Sequence, residues 1–186
     1  MKNVKWILLL LVICSMSITA MVNEFTAEQP FLITPAGQNP DAMMVKILAQ
    51  KAGLNFTYDK FAMPDTLKNH KTLVLVAGGS SKGLGAANID KDKELERINS
   101  LIAAAKKDSI KIITMHIGGK KRRGKLSDPF NRISAENASY LIVLKDGDED
   151  GYFAEVAKQK KIALIYIEKI MEAGDILKTV FINQTK

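Results

Sequence analysis

The sequence predicts a three-layer α/β/α fold built on a mainly parallel sheet of five to six strands. Short apolar, β-branched runs alternate along the chain with segments of helical periodicity. Several of these runs, such as TLVLVA at 72–77 and YLIVL at 140–144, are apolar on both faces. A strand with two apolar faces needs cover above and below, which helical crossovers between parallel strands supply.

Taken in order, strands are expected at residues 30–34, 55–58, 72–77, 111–117, 140–145 and 163–168. Asn39-Pro40-Asp41 has the pattern of a helix start, with Asn39 as the cap, and Gly53 closes a helix carrying Met44, Val45, Ile47 and Leu48. A second helix begins near Asp90, and its Leu95, Ile98, Leu101, Ile102 and Ala105 make one apolar stripe. Helices at 129–133, 149–160 and 171–181 complete the alternation. The pattern is flavodoxin-like or Rossmann-like.

The N-terminus decides where such a domain works. Lys2 and Lys5 precede the apolar run at 6–14, and small residues at 17–20 offer a cleavage point, so residues 1–20 are expected to be a secretory signal, with about residue 27 as its outer limit. The expected location is periplasmic or extracellular, or membrane-anchored if the signal stays uncleaved. One α/β domain is expected over 28–186. The single cysteine, Cys14, falls in the signal, so the domain has no disulfide, thiol nucleophile or cysteine metal ligand.

Lys and Arg number 27 against 20 Asp and Glu, a formal charge of +7, and much of the excess sits in the run KKRRGK at 120–125. That run suits a small anionic molecule, an acidic protein or a membrane surface. Nucleic acid is excluded as a partner by the export signal and by the absence of aromatic residues interleaved with the run.

In open α/β sheets, ligands bind beyond the carboxyl ends of the strands. The loops expected there are TPAGQN (34–39), GGSSKGLGAAN (78–88), GGKKRRGKLSD (118–128) and KDGDED (145–150). Three are rich in glycine, hydroxyl or amide groups, and one is strongly basic. The loops of the opposite edge, such as KNHK and KQKK, are short and ordinary.

The glycine-serine loop meets parts of three motifs. Gly78 and Gly83 have the separation of a phosphate loop, but Leu84-Gly85 stand where that loop needs Lys and then Ser or Thr. Residues 78–85 resemble the glycine turn of short-chain dehydrogenases, yet none of Tyr58, Tyr140, Tyr152 and Tyr166 has the lysine four residues later that the family requires. Gly79-Ser80-Ser81-Lys82-Gly83 also fits a nucleophile elbow, which would make Ser81 a nucleophile and His116 its base in a serine hydrolase. That elbow wants its helix at once, whereas residues 86–89 are expected to delay it, and no acid is evident.

What the three motifs share is a concavity of backbone N–H groups open to an anion. The expected ligand-binding residues are therefore Gly79, Ser80, Ser81, Lys82 and Gly83 as the cradle, with Thr34 and Gln38 as the floor. His116 is expected as a donor, Gly118 and Gly119 as close backbone, and Arg122 and Arg123 as bidentate clamps. His116 also fits a buried strand-end histidine. With His70 and His116 separated, no transition-metal site is expected, and the acidic 146–150 cluster fits a helix start better than a calcium loop. No particular cofactor is indicated.

The stretches FLITPAGQNPDAMMVKILAQKAGL, TLVLVAGGSSKGLGAANID, MHIGGKKRRGKLSDPF and YLIVLKDGDEDGYF together resemble an uncharacterised family of exported bacterial α/β proteins, classed as a domain of unknown function. The resemblance spans nearly all of the chain after the signal. It implies export and the α/β fold, and marks the glycine-serine loop and the segment from His116 to Gly124 as family hallmarks, but brings no activity.

Overall fold

The computed structural model describes residues 25–182, so the expected signal at 1–20 lies outside the described residues. Six strands, β1 (Phe31–Ala36), β2 (Phe56–Tyr58), β3 (Thr72–Ala77), β4 (Lys111–His116), β5 (Tyr140–Leu144) and β6 (Ala163–Ile167), form one sheet. Every pairing is parallel, in the order β2-β1-β3-β4-β5-β6. The strands stand where the two-faced apolar runs place them. β1 continues two residues beyond its expected end, through Pro35 to Ala36. β2 pairs with it only as far as Ile33, so Pro35 lies past the β2 ladder while its Cα partner on β3 is Val76.

Among the described residues there are six α-helices: α1 (Asp41–Lys51), α2 (Ser81–Ala86), α3 (Lys91–Lys107), α4 (Asp128–Ala135), α5 (Tyr152–Lys160) and α6 (Glu172–Ile182). On one face of the sheet, Phe31, Ile33, Val74, Val76 and Ile113 pack with Val45 and Leu48 of α1 and Leu177 of α6. On the other face, Leu73 and Leu75 meet Ile98, Leu101 and Ile102 of α3, and Leu141 and Val143 meet Phe153 and Val156 of α5. Each such fully buried side chain contributes about 1.5–3 kcal/mol of transfer free energy, so two apolar layers of this size dominate the stability of the fold.

Two local expectations are corrected. Asn39 does not cap α1, because its carboxamide donates to Val76 O at 2.7 Å and to Gly78 O at 2.8 Å, and the residue preceding the helix is Pro40, with no side-chain cap. The glycine-serine segment is not a long loop either. α2 starts at Ser81, directly after its cap Ser80, whose Oγ accepts from the Gly83 amide at 3.1 Å.

Strand order reverses between β1 and β3. The chain leaves β1 for β2 on one side, returns to β3 on the other, and then proceeds outward through β4, β5 and β6. The loops leaving β1 and β3 therefore diverge above the sheet and open a crevice between them.

Candidate functional site

The turn after β1 (Gly37–Pro40) and the turn after β3 (Gly78–Ser80) form the floor of that crevice, and the backbone sews them together. Gly78 N donates to Ala36 O at 3.0 Å, Ser80 N donates to Gly37 O at 2.9 Å, and Gln38 bridges to Gly79. Asn39 adds its two bonds across the same gap. Both of its acceptors are carbonyls, so its NH2 group must face them and its Oδ1 is left buried without a partner. Gly37 has φ +104°, and a Cβ there would strike the Gly78 carbonyl, so the two turns approach more closely than a side chain allows.

A buried ion pair anchors this floor from below. Glu94 and Arg97 of α3 lie at the amino end of its apolar stripe, with exposures of 0 % and 9 %. The Glu94 carboxylate accepts from Gly37 N at 3.0 Å, from Gln38 Nε2 at 3.2 Å and from Arg97 Nε and Nη2, both at 2.8 Å. Arg97 in turn donates to Pro35 O, Ala62 O and Thr34 Oγ1. Every charged hydrogen-bonding group of the pair thus finds partners, as burial of two charges demands.

Above the floor is a cleft of about 810 Å³. Gln38, Gly79, Ser80, Ser81, Lys82, Gly83, Arg122 and Arg123 all line it, so most of the residues expected to bind a ligand come together. Tyr58 at the end of β2, Lys60 just beyond it, Met43 of α1, and Lys121, Leu126 and Ser127 from the basic segment also line it. Among the described residues the lining holds five cationic side chains, of Lys60, Lys82, Lys121, Arg122 and Arg123, and no Asp or Glu.

The means by which these residues could hold an anion differ from the sequence expectation. Gly79 N donates to Ser127 Oγ at 3.0 Å and Gly83 N to Ser80 Oγ, which leaves only the Ser81 and Lys82 amides of this segment without a partner among the described residues. The backbone is occupied by structure, so side chains supply the charge. A Cβ at Gly83 would collide with the Gln38 carbonyl, which accounts for the glycine as a close-approach position.

The two arginines are not free clamps. Arg122 Nε donates to Asp41 Oδ2 at 2.9 Å and its Nη1 to Gly79 O at 3.3 Å. Arg123 binds Asp128 at 3.0 Å and Asp150 at 2.6 Å, and it lies 5.6 Å from the centre of the Phe153 ring. The bonds to Asp150, foremost, hold its guanidinium pKa above the ordinary value. Arg123 therefore ties the basic segment to the loop before α5. Lys60, Lys82 and Lys121 have no carboxylate within ion-pairing distance among the described residues, and all three are exposed.

Thr34, His116, Gly118 and Gly119 stand outside the cleft. Thr34 is fully buried beneath the floor as an Arg97 acceptor. His116 is also 0 % exposed, with Nδ1 3.3 Å from Ala77 O, Nε2 3.2 Å from Gly119 O, and its ring 5.0 Å from that of Phe153. Burial, more than any neighbour, lowers its pKa; a neutral imidazole has one N–H and can donate to only one of these two carbonyls, and the ring packs the basic segment against β3. It cannot donate to a ligand in the cleft. A Cβ at Gly118 would meet Arg122, and one at Gly119 would meet Asp146, so these glycines allow close packing of the turn rather than ligand approach.

Ser81 is exposed at the start of α2 and lines the cleft, but no hydrogen bond links it to His116. His70, at the other edge of the sheet, contacts Thr66 O. The acidic 146–150 segment behaves as a helix start: Asp148 accepts from Phe153 N at 2.7 Å, Ala154 N at 3.0 Å and the Tyr166 hydroxyl at 2.6 Å.

Asp41, Asn39, Ser127, Glu94 and Arg97 escaped the sequence reading as site-building residues. A signal for the last two was present, since positions 94, 97, 98, 101, 102 and 105 share one helical face.

Among solved structures, the chain is similar to a GDSL-like lipase from Bacteroides thetaiotaomicron, at 12% identity over 85% of this chain and 86% of that one, with a TM-score of 0.34. It is also similar to AlinE4, an SGNH-hydrolase family esterase, at 10% identity over 81% of this chain and 79% of that one, with a TM-score of 0.32. At these scores neither likeness bears on chemistry. No curated protein sequence matches the chain. Residues 28–181 match the family described as Domain of unknown function (DUF6305), and the chain belongs to that family.

Proposed function

We propose that the protein is an exported binding domain that holds a small anionic ligand, phosphate- or carboxylate-bearing, in the cleft between the β1 and β3 turns. One observation carries this reading: five cationic side chains and no carboxylate line the cleft, and three of the five are unpaired among the described residues. Low-dielectric walls concentrate such a field and raise the local concentration of anions. Lys82 on α2 and Lys121 on the basic segment are the contacting cations, and Arg122 is held in place by Asp41. The rigid floor needs no rearrangement on binding, which lowers the cost of association.

The test is calorimetric titration of organic phosphates, sulfonates and carboxylates into the protein at low and at physiological salt. A charge-assisted contact contributes about 1.5–3 kcal/mol, so a Lys82→Gln/Lys121→Gln variant is expected to bind at least about a hundredfold more weakly. Equal affinity in that variant, or no binding by any anion at low salt, would overturn the reading.

A further inference from the structure

Resting on the anion-binding reading, we infer that the ligand is amphiphilic: an organic anion whose apolar body lies against Met43 and Tyr58 while its acidic group faces Lys82 and Lys121. Two observations on the cleft itself lead there, size and the placement of its chemistry.

The volume of about 810 Å³ falls within the roughly 300–1,000 Å³ of sites that enclose whole organic ligands. A bare phosphate or acetate would leave most of it to water. The sheet order also segregates the walls. Pro35, Pro40, Met43 and Tyr58 come from the ends of β1 and β2 and the start of α1, on one side of the crevice. Lys82 and Lys121 come from the segments after β3 and β4, on the other, while Arg122 of the same basic segment reaches across to Asp41 at the start of α1. Among the lining residues Lys60 is the one cation on the apolar side, and Lys46 Nζ, outside the lining, lies 5.4 Å from the centre of the Tyr58 ring.

Met43 is not needed by the core. α1 meets the sheet with Ala42, Val45, Leu48 and Ala49, all buried, whereas Met43 is 43 % exposed. Single exposed apolar side chains are ordinary, but this one lines a cleft together with a half-buried tyrosine, and its flexible thioether adapts to varied apolar shapes. Burial, and then Asp59, raise the Tyr58 pKa, so the phenol adds no charge to that wall. An acyl or aryl body fits one side and an acidic head the other. Such chemistry is offered both by a free amphiphile and by a membrane lipid with an anionic headgroup.

Titrating the exported protein, freed of its signal at residues 1–20, with n-octyl phosphate below its micellar concentration, inorganic phosphate and octanol separates the contributions. Octyl phosphate is expected to bind at least about tenfold more tightly than either of the others, since each buried methylene adds about 0.8 kcal/mol. Met43→Gln, at an exposed position, should weaken octyl phosphate severalfold and leave inorganic phosphate unchanged. Equal affinity for octyl phosphate and inorganic phosphate, or an unaffected Met43→Gln variant, would overturn the amphiphile while sparing the anion site. Octanol binding as tightly as octyl phosphate, or no binding of any probe, would overturn both. Once octyl phosphate binds, co-sedimentation with phosphatidylglycerol vesicles that octyl phosphate competes away identifies a lipid as the source; its absence identifies a soluble ligand.

Discussion

The Glu94 carboxylate on α3 accepts a hydrogen bond from the Gly37 amide, in the turn after β1, at 3.0 Å. A charge in the helical layer thereby sets the conformation of the turn that floors the cleft. Arg97 neutralises that carboxylate at 2.8 Å and carries the connection on to Pro35 O.

Removing Arg97 alone should be worse than removing both members of the pair, because it leaves a buried charge as well as unpaired polar groups. Arg97→Met leaves Glu94 buried with only the Gly37 and Gln38 donors, and is expected to cost about 3–5 kcal/mol in urea-unfolding experiments. A Glu94→Leu/Arg97→Met double variant removes the uncompensated charge but leaves the Gly37 amide and the Pro35 and Ala62 carbonyls without partners, so it should recover only part of that loss. If Arg97→Met costs less than about 1 kcal/mol, the pair is not the anchor described.

Gly83 offers a test of the floor that touches no charge. Its missing Cβ is what lets α2 sit on the Gln38 carbonyl. Gly83→Ala, ordinarily favourable in a helix by up to about 1 kcal/mol, should here destabilise by about 1–3 kcal/mol through overpacking. Gly85→Ala is the control, since nothing lies within 4 Å of a Cβ built there, and it should be neutral or stabilising. Thermal melts of the two variants side by side decide the matter.

The contrast between these two glycines shows what was legible in the sequence. The strands were plain, because a run such as TLVLVA, apolar on both faces, has few alternatives to a covered parallel strand. That the glycine-serine and basic segments meet at one edge followed from their place after the strands. The interior of each loop did not follow, because glycine weakens helical propensity and so hid α2, although Gly83 serves packing and Ser80 is an ordinary cap. Glu94 and Arg97 were hidden differently: charge suggests the solvent side of a helix, and only their spacing with Ile98 and Leu101 betrayed burial. Arg122 and Arg123 stood in the right segment, but whether an arginine meets a ligand or a neighbouring carboxylate depends on Asp41, Asp128 and Asp150, which tertiary structure alone brings near.

Asp148 gives a prediction away from the cleft. Its carboxylate accepts two amide hydrogens at the start of α5 and the Tyr166 hydroxyl, while burial and this bond push the Tyr166 pKa up to about 12. Asp148→Ala removes the acceptor of two first-turn amides of α5 and leaves the buried Phe153 amide without its partner, so a loss of about 1–2 kcal/mol is expected in chemical unfolding. The ultraviolet titration of Tyr166 should move down toward its ordinary value in the same variant; an unmoved titration would count against the Asp148 contact.

His116 makes stability depend on pH in a definite direction. Burial holds its folded-state pKa below the ordinary 6.5, while Arg123 also opposes its protonation and the carbonyls of Ala77 and Gly119 and the side chain of Asn131 partly offset these effects. In the window between the lowered value and 6.5, the unfolded chain therefore binds more protons than the folded one. Stability from this group is complete above 6.5 and is lost as pH falls below it. Carboxylates titrate mostly lower, so unfolding midpoints in urea compared at about pH 7.5 and 5.5 report chiefly on histidine. The parent protein is expected to weaken over that interval, and a His116→Gln variant, less stable at the higher pH because it disturbs the contacts to Ala77 and Gly119, should show a shallower decline. Parallel declines in the two proteins would mean that His116 is not the group held neutral in the fold.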